Sequence, residues 1–167
     1  MKLVKPAIEV LLQLRDLLEQ LTVSKYNEKL TVFSGASMGQ HARHILEFYD
    51  CLIQNIDTGI VNYDTRVRNN RIETDQEFAI AIINQLCDKL AQTLVDKDIL
   101  LEGELCGDRF TVPSSVSREL LYTIEHAVHH MAILKMGLVV SNLDISIPAN
   151  FGVADSTVKY RQQECAQ

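Results

Sequence analysis

The chain has 167 residues, 47% hydrophobic and 23% charged, and a formal net charge of −6. That length holds a single domain, residues 1–167, with a core that needs no disulfide or metal staple. The acidic balance argues against nucleic acid or an anionic membrane as partner, because either requires clustered basic residues.

The opening MKLVKPAIEVLLQLRDLLEQL begins with lysines and leucines as a signal peptide does. However, Glu9, Arg15, Asp16 and Glu19 interrupt it at helical spacing, and no small-residue cleavage site follows. It reads as an amphipathic helix from about Pro6 to Leu21, with Pro6 in the first turn, where its missing N–H costs nothing. Ile8, Leu11, Leu12, Leu14, Leu18 and Leu21 supply its buried stripe. Residues 22–36 read as a loop with a short helical turn. No stretch approaches the roughly 20 apolar residues of a membrane span.

Ser37 and Gln40 form a capping-box pattern that starts a second helix, running to about Ile56. Met38, Ala42, Ile45, Tyr49, Leu52, Ile53 and Ile56 form its core stripe. On its wheel His41 lies at the edge of this stripe and His44 further out, so periodicity slightly prefers His41 as inward-looking. The connection from Asp57 to Glu73 is long enough to run back along a neighbouring helix, which predicts a crossover and parallel second and third helices. Its Arg66, Arg68 and Arg71 have two readings. They form ion pairs that pin a surface loop, or they reach over a pocket mouth and grip a substrate carboxylate in bidentate fashion.

A third helix is expected from Thr74, with Glu77 as capping partner, to about Val95. Ile99 to Cys106 and Arg109 to Val112 then alternate around Gly107 and Asp108 as a two-stranded hairpin, which must pack on the helices to be stable. The fourth helix begins near Ser114 and ends near Ser141, and Asp155 or Ser156 caps a short last one. Phe151 is expected to plug one end of the helix assembly. Cys51, Cys87, Cys106 and Cys165 contain no CxxC pair, which points to a reduced, cytoplasmic setting, with Cys51 and Cys87 as small apolar helix residues and Cys165 as an exposed thiol.

Three of the five histidines fall within the fourth helix, and His126 and His130, four apart, stand one turn above the other. His129 points among Arg118, Tyr122 and Glu125, where solvent is expected. There is no HExxH pattern, so zinc-protease chemistry is not indicated. With one histidine from the second helix, the pair would give three imidazoles and an open fourth position, the arrangement of a catalytic rather than a structural zinc site. Imidazole also suits nickel, iron and copper. Glu119, two turns below His126, is either a carboxylate orienting a ligand imidazole or a solvated first-turn glutamate favourable to the helix dipole.

GQHARHILEFYDCL, followed much later by SRELLYTIEHAVHHMAIL, resembles the DinB-like superfamily, also called DinB/YfiT-like putative metalloenzymes. The resemblance implies metal ligands at His44, ahead of Ile45, Leu46 and Glu47, and at His126 and His130, with His41 and His129 as neighbours. It implies an all-α four-helix bundle, up-down-down-up, with the small hairpin before the fourth helix, and a homodimer. It also implies a divalent ion, zinc or nickel, activating a thiol or water in a thiol-dependent transferase or hydrolase, with a low-molecular-weight thiol as cofactor and a small-molecule substrate. The competing expectation is a non-catalytic dimeric binding or stress-associated protein whose metal site is vestigial or adventitious.

Overall fold

In a computed structural model, residues 1–164 are described. Four long helices form the body: α1 (Val4–Gln20), α3 (Met38–Asn55), α5 (Gln76–Thr93) and α6 (Val116–Val140). Short helices α2 (Val23–Asn27) and α4 (Asn70–Thr74) and a 3-10 turn at Thr31–Phe33 fill the connections, and α7 (Asp155–Glu164) follows the body. Three strands, β1 (Ile60–Asn62), β2 (Asp98–Leu105) and β3 (Asp108–Ser115), make a mixed sheet in the order β1-β2-β3.

The expected all-α four-helix bundle with a two-stranded hairpin is therefore corrected to seven helices and a three-stranded sheet among the described residues. The overturning element is β1, which pairs parallel with β2 in the register Ile60–Leu100, Val61–Leu101, Asn62–Glu102. Gly59, at φ 75°, turns the chain out of the helix, and its carbonyl accepts from the Leu100 N–H at 2.8 Å. Only glycine enters that region of backbone space at no steric cost. Three residues are too few to show a period of two, so this strand left no pattern in the sequence.

Cross-helix pairs set the directions. His41 meets His130 and His44 meets His126, so α3 and α6 are antiparallel. Arg15 meets Asn84 while Gln76 donates to the carbonyls of Leu18 and Leu21, so α1 and α5 are antiparallel. Met1 lies at Ser117 and Gln20 at Ser146, so α1 runs with α6. The core between them is apolar: Leu11, Leu14, Leu18, Ile45, Leu46, Leu52, Ile83, Leu120 and Leu134 are almost wholly buried. Each such leucine or isoleucine contributes about 1.5–3 kcal/mol of transfer free energy.

Helix starts follow local chemistry. Ser37 and Gln40 close a reciprocal capping box at α3. The α5 cap is Asp75, which accepts from the Phe78 N–H, rather than Thr74 with Glu77, because Thr74 ends the separate turn α4. Ser115 caps α6, one residue past the expected start. Gly39 lets α3 approach α4 closely, since a Cβ there would fall 2.1 Å from the Glu73 carbonyl oxygen. Phe151 is fully buried, and the following Gly152 passes so near the α6 backbone that a Cβ would meet the Ala132 nitrogen at 2.5 Å. Cys51 is buried, Cys87 half-buried and Cys106 exposed, all three free; Cys165 lies outside the described residues. No helix is long and apolar enough to cross a membrane.

Candidate metal centre

Four histidines meet across the antiparallel seam of α3 and α6. Offsets of three on α3 and four on α6 keep each set on one helix side, facing the other. His44 Nε2 lies 2.8 Å from His126 Nε2, and His41 Nδ1 lies 3.0 Å from His130 Nδ1. The His44 and His130 ring centres are 4.5 Å apart, those of His126 and His130 4.7 Å. One nitrogen from each of His44, His126 and His130 lies within 4.8 Å of those of the others. This trio can hold a metal ion.

The surroundings favour neutral imidazoles. Burial first, then neighbouring His126 and the Arg66 guanidinium, push His44 from its ordinary 6.5 down to about 4. Burial, followed by His44 and His126, brings His130 down to about 3, and burial also lowers His41 and His126. Deprotonated imidazole is the ligating form, so the site presents its lone pairs without prior proton loss at neutral pH. A tetrahedral ion with nitrogen bonds of about 2.0–2.1 Å needs its ligand nitrogens about 3.3 Å apart, so the His44–His126 hydrogen bond must open by a few tenths of an ångström.

Aromatic rings wall the trio. Phe48 stacks on His126 at 4.3 Å between centres, and Tyr122 lies 5.6 Å from the same ring. Phe33 stands edge-on to His41 at 4.7 Å; its own ring occupies the space above Gly137, where a Cβ would meet it at 2.1 Å. The sequence reading named none of these rings as site residues. Phe48, four residues after His44, carried the available signal, because that spacing places both side chains on one face of α3. His129 is exposed and reaches only the edge of His130.

Of the three arginines, the structure brings one to the centre. Arg66 Nη2 lies 3.2 Å from His44 Nδ1, its Nη1 donates to the Tyr63 carbonyl at 2.8 Å, and its guanidinium covers the Phe48 ring at 4.8 Å. Arg68 is exposed, and Arg71 pairs with Asp75 and lies over Phe78. Glu47, almost wholly buried one turn beyond His44, accepts from the Asn69 N–H at 2.9 Å and so ties the crossover to α3. A cleft of about 780 Å³ opens beside Arg66, lined by Glu47, Asp50, Cys51, Asn62 and Glu102 among others. Burial raises the Cys51 thiol to about 11, so it stays protonated at neutral pH.

Glu119 is fully buried, not solvated. Tyr63 donates to it at 3.0 Å and Ser114 at 2.6 Å, and no histidine is among its hydrogen-bond partners. It locks the β1 end of the crossover and the β3 end of the hairpin onto the first turn of α6. Burial and the adjacent carboxylate hold the Tyr63 hydroxyl well above its ordinary range.

No family model matches the chain, and no solved structure matches it. FK506-binding protein 5 of Rhizopus delemar is 30% identical over 111 residues, 63% of this chain. The match covers 28% of that protein, so the chain corresponds to one segment of a longer relative.

Proposed function

We propose that this is a metal-dependent protein of DinB-like type that binds one divalent ion through His44, His126 and His130. The observation that carries the reading is the convergence of three neutral imidazoles from two antiparallel helices, with the Phe48 ring packed against two of them. Zinc or nickel suits an all-imidazole donor set. When bound, such an ion acts as a Lewis acid and lowers the pKa of water or thiol at the open position.

The chain's own residues bind and orient. Phe48 fixes the His126 ring by stacking, with Tyr122 tilted beside it, and His41 holds His130 through Nδ1, which constrains the tautomer of that ligand. The cleft beside Arg66, with a buried thiol and several carboxylates on its wall, supports a small polar substrate of transferase or hydrolase type.

The test is elemental analysis of the untagged protein and of His44→Ala after incubation with zinc or nickel. About one ion per chain in the first and none in the second supports the site. Equal occupancy in both removes His44 from it.

One observation favours a second reading, a non-catalytic domain with structural histidines. His44 and His126 satisfy each other at 2.8 Å, as a buried polar pair does in the absence of any ion. Under that reading, zinc and nickel leave the melting temperature unchanged.

A further inference from the structure

The hairpin of β2 and β3 carries apolar side chains into solvent. Leu105 is 71% exposed, Phe110 38% and Val112 42%. β3 is also the outer strand of the sheet, so its unpaired backbone groups face water. An exposed apolar edge of this kind is a template for pairing with another chain unless something blunts it.

The hydrogen-bond pattern identifies the blunting residue. The Leu100 N–H donates to the Gly59 carbonyl on the β1 side, so the backbone groups of Leu100 point away from β3. Its partner across the hairpin is Pro113. In an antiparallel ladder directly opposed residues either bond each other or both face outward, so the Pro113 nitrogen faces the open edge. The same alternation turns Thr111 and Arg109 outward, as the partners of Glu102 and Glu104. Thr111 and Arg109 supply outward donors; Pro113 supplies none, and its ring stands where the N–H would be. The β2 side is closed by other means. Beyond the last β1 pair, at Glu102, the Glu104 N–H donates to Asp64 Oδ2 at 3.0 Å.

Without the proline, β3 fits a second copy of itself. Antiparallel pairing about a two-fold axis at Thr111 sets Thr111 against Thr111 and Arg109 against position 113 of the second copy. It also sets Phe110 beside Val112 on both sides of the axis, at the close positions between hydrogen-bonded pairs, where aromatic and β-branched residues stabilise each other. Phe110 is already held on the sheet, since its ring lies over Gly103, where a Cβ would meet Cζ at 2.6 Å. In this register Pro113 removes a hydrogen bond at each end and sets its ring against the Arg109 carbonyl of the second copy. We propose that Pro113 guards the β3 edge: the edge is a self-complementary surface, and the proline keeps it from pairing with β3 of a second copy.

The experiment is sedimentation equilibrium over a concentration series for the wild type, Pro113→Thr and the double variant Thr111→Pro with Pro113→Thr, with melting curves to confirm folding. Pro113→Thr should raise the mass toward about twice that of the wild type as concentration increases. The double variant moves the proline to another outward position of the same edge and should return the mass to the wild-type value. A second readout uses the unaltered chain. The Arg109 and Thr111 amides should exchange with solvent as unpaired groups in the wild type, and become protected in Pro113→Thr at high concentration.

A Pro113→Thr mass equal to the wild type at every concentration overturns the guard. So does an increase that persists in the double variant, because association then does not run through this edge. Slow exchange of the Arg109 and Thr111 amides in the wild type shows an edge already covered, and overturns the guard even where a variant fails to fold.

Discussion

The α1–α5 seam and the α3–α6 seam have opposite chemistry. Between α1 and α5 lie Leu11, Leu14, Leu18, Ala79, Ile83 and Leu86, all buried, with Gln76 on the Leu18 and Leu21 carbonyls as a polar clamp. Between α3 and α6 lie four imidazoles, with Glu47, Arg43 and Arg66 beside them. Burying such groups costs free energy unless each is paired; among the described residues His41 Nε2 makes no hydrogen bond, and Arg66 Nε has only the 3.4 Å ion pair with Glu47. The apolar core nonetheless runs through all four long helices, with Ile45 and Leu52 of α3 and Leu120 and Leu134 of α6 buried in it, and that shared reserve is what lets one seam carry a polar centre.

Four substitutions or conditions sharpen this contrast. His126→Ala should give complete loss of bound ion in a zinc titration, with a smaller change in metal-free stability than any leucine truncation in the opposite seam; an equal loss of stability would mean that the histidine seam also holds the fold together. Leu14→Ala should cost about 2–5 kcal/mol in chemical denaturation and leave zinc affinity of the native protein unaltered. A parallel fall in affinity would show that the two seams are not separable.

Gly137→Ala should cost about 1–3 kcal/mol through overpacking against Phe33, and it tests whether the wall beside His41 transmits strain to the centre. If zinc affinity moves with stability, the wall positions the histidine. The last contrast is in pH dependence. The folded pKa of His44 is depressed to about 4 and that of His130 to about 3, against an ordinary 6.5. Below about pH 6.5 the unfolded chain takes up protons that the folded chain refuses, so metal-free stability falls with pH through the window from 6.5 to 4 and is undiminished above it. Replacing His130 with leucine should flatten that limb of the melting temperature, whereas changes in the α1–α5 seam should shift the whole curve.

Much of this was readable because it was local. The Ser37 and Gln40 side chains close their box within one turn, and His126 and His130 align by helical period alone. Phe151, isolated between Pro148 and Gly152, signalled a buried plug. The unreadable parts depend on distant partners. Glu119 looks solvated until Tyr63, 56 residues away, is placed on it. Nothing local separates Arg66 from Arg68, because a loop has no period to assign faces, and Arg71 lies in α4, a helix too short to show one. The choice between His41 and His44 blurred because both face α6, one on His130 and the other on His126.

Asn62 ends β1 in the sheet and Asn69 is held through its N–H by Glu47, so the segment between them is a short loop clamped at both ends. Arg66 rides on that segment, so the sheet at one end and α3 at the other jointly fix where its guanidinium meets His44.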